Sequence, residues 1–178
     1  FDFSFEGLSL DNHLDKEWGC SLGAEKDEID ILFFGDSHSL SFKNIVDEIS
    51  RRKGLNVFYA GLSACLPFQG TFIELRGNCN LLNKMILQLI EKKKIKKIIL
   101  SARWSHYLVG TYHGEDGFLI SRNREGPYSK ETRKEIFTES LNNTIKKLKK
   151  YDVEIHVLGQ PPTQYFDSES IYFKEAKS

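Results

Sequence analysis

The sequence predicts an α/β chain, a three-layer α/β/α sandwich around a parallel sheet. Three observations lead there. Four short runs, near 29–34, 55–60, 95–102 and 153–158, read as strands, and the first has the β-branched and aromatic content of a strand covered on both faces. Helical periodicity separates each run from the next, so the strands are joined by crossovers and should all be parallel. With 178 residues the chain suffices for one such domain, which would bury roughly 70% of its unfolded surface.

Residues 1–26 carry no sustained period and are expected to form an N-terminal extension to a domain spanning 27–178. Phe1, Phe3, Phe5 and Leu8 would lie as an apolar clip, and Asp11 to Gly23 as loop. Ile29 to Phe34 is the first strand and stops at Gly35, which permits a sharp turn. Leu40, Phe42, Ile45, Val46 and Ile49 then space out an amphipathic helix that ends near the basic cluster before Gly54. A second strand, Leu55 to Ala60, runs into the loop that begins at Gly61. Leu82, Met85, Ile86, Leu89 and Ile90 mark the next helix, and Ile98-Ile99-Leu100 the centre of the third strand. Tyr107 to Lys130 reads as a long polar loop of the kind that often serves as a lid or binding surface. Its Tyr107, Tyr112, Phe118 and Tyr128 would face a ligand. Glu131 to Lys150 is a helix with Ile136, Phe137, Leu141, Ile145 and Leu148 inward, followed by a fourth strand, Val153 to Leu158.

Composition removes several function classes. The 25 basic and 25 acidic residues balance, so no global basic field argues for nucleic acid. No apolar run approaches the roughly 18 residues of a membrane span. No strand is followed by Gly-x-Gly-x-x-Gly, against a dinucleotide site, and the third strand ends in Ala102-Arg103 where a phosphoacceptor receiver would need Asp. The lysines at 92–94, 96 and 97 read as a solvated helix end. Phe1 in place of Met, and the lack of a leader pattern, point to a segment of a longer chain. Of the three cysteines, Cys65 and Cys79 bracket a loop that a disulfide would stabilise by about 3 kcal/mol; two unpaired small hydrophobes fit the residues equally well.

The chemistry concentrates at Gly35-Asp36-Ser37-His38. Ser37 falls at the mouth of a helix, where free N–H groups favour developing negative charge, so it is placed to act as a nucleophile with its own N–H as an oxyanion donor. The plainer alternative is that Asp36 or Ser37 caps the helix. Gly61 reads as a turn glycine on its own. Arg103 and Trp104, at the exit of the third strand, offer a guanidinium for an acyl oxygen and an indole for a sugar ring, or else a surface ion pair and a core residue.

Gly35-Asp36-Ser37-His38 after an apolar strand resembles the first sequence block of the SGNH/GDSL hydrolases. With Ser101-Ala102-Arg103-Trp104 and Tyr107 later in the chain, the pattern is most similar to the soluble SGNH domains fused to membrane acyltransferase-3 proteins, which O-acylate bacterial surface polysaccharides. The resemblance covers about Cys20 to Pro162. It implies a flavodoxin-like parallel sheet and an acyl-Ser37 intermediate, with Gly35, Asp36 and His38 supporting the motif. It also implies an oxyanion hole of Ser37 and Gly61, with Arg103, Trp104 and Tyr107 binding substrate. A Cys65–Cys79 disulfide and a periplasmic location, as a domain of a bacterial inner-membrane protein, follow from it too. No cofactor or metal is implied. The implied partners are an acyl donor, a polysaccharide acceptor and a membrane acyltransferase domain in the same full-length chain, with no nucleic acid.

Two departures stand out. The Gly-x-Asn-Asp of the wider family is replaced by the Arg103-Trp104 turn, and the late Asp-x-x-His that supplies the catalytic base is missing from all five histidines. The chain is therefore expected to end before that block and to be weakly active or inactive by itself. His106 and His113, on the loop after the third strand, are the substitutes the sequence offers. The competing function is a non-catalytic glycan-binding or scaffolding module of a membrane acyltransferase.

Overall fold

The computed structural model describes residues 19–74, 78–110, 118–123 and 128–160. Its main sheet has five strands: β1 (Gly19–Gly23), β2 (Ile31–Gly35), β3 (Asn56–Gly61), β5 (Lys97–Ser101) and β7 (Glu154–Leu158), in the order β1-β3-β2-β5-β7. The four strands expected from the apolar runs pair in parallel, β3 with β2, β2 with β5 and β5 with β7. A two-stranded antiparallel ribbon, β4 (Phe72–Ile73) with β6 (Ile120–Ser121), lies outside this sheet. The helices are α1 (Ser37–Ser41), α2 (Lys43–Lys53), α3 (Cys79–Lys93), α4 (His106–Val109) and α5 (Lys130–Lys149).

Alternation along the strands divides the core into two layers. Leu32, Phe34, Phe58, Ala60, Ile98 and Leu100 join Leu82, Ile86, Leu89 and Ile90 of α3 and Ile136 and Leu148 of α5 in the larger cluster. Phe33, Val57, Tyr59 and Leu22 form the smaller one with Phe42 and Val46. Cys65 and Cys79 are joined by a disulfide and buried in the larger cluster. Among the described residues no helix is long and apolar enough to cross a membrane.

Three sequence readings change. Residues 19–23, read as loop within the extension, form strand β1, antiparallel to β3 and in register from Gly19 opposite Ala60 to Gly23 opposite Asn56. The single helix expected after Ser37 is two, because Phe42 N–H turns back to Ser39 in the tighter i→i+3 pattern. Leu40, Ile45 and Ile49 are exposed at 43%, 57% and 47%, since Phe42, Val46 and Ser50 set the inward stripe. The loop expected over 107–130 contains α4 and β6 and leads directly into α5. The 1–8 apolar clip, Tyr112 and His113 lie outside the described residues.

Two carboxylates fasten the β1 side of the sheet. Asp47 of α2 accepts from Gly23 N–H at 2.7 Å, and Asp30 accepts from Asn56 N–H at 2.6 Å. The Gly23 N–H, with Arg51 helping, holds the Asp47 carboxyl below its ordinary range against the opposing effect of burial. For Asp30, burial is the largest influence and opposes ionisation, but Lys26 and Asn56 N–H together outweigh it and lower the pKa. A carboxyl lowered on folding stabilises the fold above its unfolded value, near 4, and that contribution is lost as pH falls through the lower folded value. Acidification below about pH 4 should therefore loosen β1 first. Faster amide exchange at Gly23 than in β2 and β5 at pH 3, abolished as a pH effect by Asp47→Asn, is the expected result; pH-independent exchange would exclude it.

Candidate active site

The carboxyl ends of β2, β3 and β5 are adjacent in register: Gly35 lies opposite Gly61 on one side and Ser101 on the other. Open α/β sheets bind ligands at this edge. The residues singled out at Ser37, Gly61 and Arg103 are thereby brought together, each just beyond or at the end of a neighbouring strand.

Gly35 makes the turn after β2 geometrically feasible. A Cβ there would land on the Ser101 carbonyl oxygen, so a side chain would force β2 and β5 apart. Asp36 N–H donates to that same oxygen at 3.3 Å, and Leu62 N–H donates to Gly35 O at 3.1 Å.

Asp36 is the hub of the turn. It is 2% exposed and caps α1, its Oδ1 accepting from His38 N–H at 2.8 Å. Oδ2 accepts from Arg103 N–H at 2.9 Å and from the Tyr107 hydroxyl at 2.7 Å. One carboxylate thus joins the α1 turn to the exit of β5 and to α4. Ser37, next to it, is exposed, and neither its N–H nor its Oγ bonds any described residue. The capping role falls to Asp36, which leaves the Ser37 hydroxyl uncommitted.

Gly61 has a packing reason to be glycine: a Cβ would collide with the Tyr59 hydroxyl and ring. Consecutive strand amides point to opposite sides. Because Leu62 N–H faces β2, Gly61 directs its own N–H toward the β1 side. Beyond it the turn is closed by Cys65 N–H on Leu62 O, and Ala64 holds the left-handed backbone (φ 56°) that alanine rarely adopts. The buried Asn83 side chain donates to Leu66 O and Phe68 O, and with the disulfide it anchors this turn to α3.

The residues expected to contact substrate divide. Arg103 is half-buried, and its guanidinium takes no hydrogen bond or ion pair among the described residues. Trp104 is committed elsewhere: its indole N–H donates to Leu158 O at 3.0 Å and its ring stacks on Phe68 at 5.6 Å. Tyr107 is 1% exposed and points inward at Asp36, so it is a prop for the turn and not a sugar-facing residue. Burial, then the Asp36 carboxylate, raises its pKa far above the ordinary tyrosine value, which keeps the proton on the phenol as the donor. Its inward orientation comes from the α4 turn, signalled in the sequence only by the short apolar run Tyr107-Leu108-Val109. His106 is 8% exposed, with its ring against Tyr107 and Phe118. Sequence reasoning missed Arg133, 2% exposed, which reaches from α5 to the carbonyls of Leu108 (2.8 Å) and Tyr128 (2.5 Å) and so fixes the end of α4.

Comparison with known proteins agrees with this architecture. The family described as "SGNH domain (fused to AT3 domains)" matches residues 7–177. No curated protein matches the chain. The periplasmic domain of the lipopolysaccharide acetyltransferase of Salmonella ser. Paratyphi A has a similar fold, with a TM-score of 0.58 at 19% identity. That likeness covers 86% of this chain and 54% of the other, so the chain spans about half the length of that solved structure. A strand-turn-helix at the carboxyl edge, built on Gly35-Asp36-Ser37-His38 and extending through a match over 7–177, establishes that the chain belongs to the family of SGNH domains fused to AT3 domains.

Proposed function

We propose that this domain transfers or hydrolyses acyl groups through an acyl-Ser37 intermediate, acting on bacterial cell-surface polysaccharide in the periplasm. The observation that carries the reading is the exposed Ser37, uncommitted at both N–H and Oγ among the described residues, on a turn held from beneath by Asp36. Ser37 Oγ attacks the acyl carbonyl, its proton passing to a general base; the tetrahedral intermediate then expels the donor's leaving group. A sugar hydroxyl or water next attacks the ester carbon and releases Ser37 Oγ. The Ser37 N–H is one oxyanion donor; Gly61, expected as the second, turns its own N–H toward the β1 side, so in this reading it serves as the glycine that opens the neighbouring turn. The Arg103 guanidinium is available to orient an acyl or sugar oxygen. The base is expected from an Asp-x-x-His elsewhere in the full-length protein, alongside a membrane acyltransferase domain that delivers the acyl group.

A non-catalytic glycan-binding or scaffolding role is the second reading, favoured by the half-buried Arg103, whose guanidinium takes no hydrogen bond or ion pair among the described residues and is open to a sugar oxygen. A fluorophosphonate probe separates the two. Stoichiometric labelling of the full-length protein, lost in Ser37→Ala, supports the acyl-enzyme reading. Undetectable labelling, together with glycan binding that depends on Arg103, supports the module.

A further inference from the structure

On the α2 side of the sheet, Tyr59 is buried at 2%, with Phe33 packed edge-on at 5.7 Å and the Lys43 ammonium 5.7 Å from its ring centre. Two residues before Gly61 on the same strand face, its ring runs along β3 to the carboxyl edge and fills the space that a side chain at 61 would take. There its hydroxyl is 3.2 Å from Ser39 Oγ, and Ser39 is fully buried. Ser39 donates its one hydroxyl proton to the Asp36 carbonyl at 2.5 Å, so it can only accept from Tyr59. The result is a directed relay from the Tyr59 hydroxyl through Ser39 Oγ to Asp36 C=O.

This relay holds the other side of the hub. The Asp36 carboxylate is tied toward β5 and α4, and the Asp36 carbonyl is tied through Ser39 and Tyr59 toward β3. Ser37 is the next residue, so its Cα is fixed from both flanks while its hydroxyl stays uncommitted. Packing alone does not ask for the phenol oxygen, since phenylalanine would fill the same aromatic site.

We propose that Tyr59 and Ser39 are positioning residues that hold the Ser37 turn in register with the end of β3. The proposal rests on the acyl-Ser37 reading. Displacing a nucleophile by about 1 Å can cost on the order of 100-fold in rate, because attack needs a near-correct approach before the barrier is met. The loss should appear in the chemical step and leave substrate affinity unchanged.

The test is steady-state turnover of p-nitrophenyl acetate by the full-length protein carrying Tyr59→Phe, Ser39→Ala, both together, or Ser37→Ala. The expected result is a kcat lowered roughly 10- to 100-fold in each single positioning variant, with KM within about twofold. The double variant should be no worse than the weaker single, because the relay is already broken. Melting temperatures and folded fractions are measured alongside, and if one single variant fails to fold the other decides. The proposal is overturned if the folded variants keep kcat within twofold while Ser37→Ala is inactive, or if kcat falls only in step with the folded fraction. Full activity in Ser37→Ala would instead remove the acyl-serine reading, and the positioning role with it.

Discussion

Replacing Ser37 by alanine in the full-length protein is expected to lower acetyl-ester turnover by a factor on the order of 10⁴ or more, with no loss of fold. The exposed hydroxyl makes no hydrogen bond among the described residues, and Asp36 provides the cap, so the substitution removes chemistry and almost no stability. Turnover of p-nitrophenyl acetate, with a thermal melt on the same sample, measures both halves of the expectation. The 178-residue chain should itself be slower than a longer one bearing Asp-x-x-His by about 10²–10⁴-fold, the usual worth of a general base. His106 is a poor replacement, since its ring is buried against Tyr107 and Phe118. Equal rates for the two chains, dependent on His106 or His113, would show a rearranged catalytic set.

Gly35→Ala is expected to be the most damaging substitution to the fold for its size. The new methyl group would occupy the position of the Ser101 carbonyl oxygen, with Ser39 Cβ at 3.0 Å on another side. A backbone oxygen between two central strands cannot rotate away as a side chain would. Relief requires separating β2 from β5, which also breaks the Asp36 N–H bond to Ser101. Overpacking of this kind costs about 3 kcal/mol or more. Urea denaturation should show the lowered midpoint, and a midpoint within error of the unsubstituted protein would refute the argument.

The parallel sheet was legible because its strands are the continuous apolar runs that burial on both faces demands: Ile31 to Phe34, Val57 to Ala60 and Ile98 to Leu100. β1 was not, since Gly-Cys-Ser-Leu-Gly buries only Leu22 and gives neither alternation nor an apolar run. It is held by pairing with β3 and by the distant carboxylate of Asp47, 24 residues away in sequence. At the site, Ser37 could be placed from the strand-glycine-helix succession alone. Tyr107 was misdirected toward solvent because an aromatic residue at the head of a glycine-rich stretch carries no sign of which way it faces, and Trp104 was left open between a sugar ring and the core. Their destinations, Asp36 and Phe68, are fixed by contacts 71 and 36 positions away along the chain, which no local pattern encodes.

The antiparallel direction of β1 bears on how the domain is moored. Gly19 pairs with Ala60 at the carboxyl edge, and Gly23 with Asn56 at the opposite edge. The chain therefore enters β1 at the rim that carries Ser37, whereas a parallel first strand would have been entered from the far side. A segment joined to the chain at Gly19 thus starts on the reactive side of the sheet.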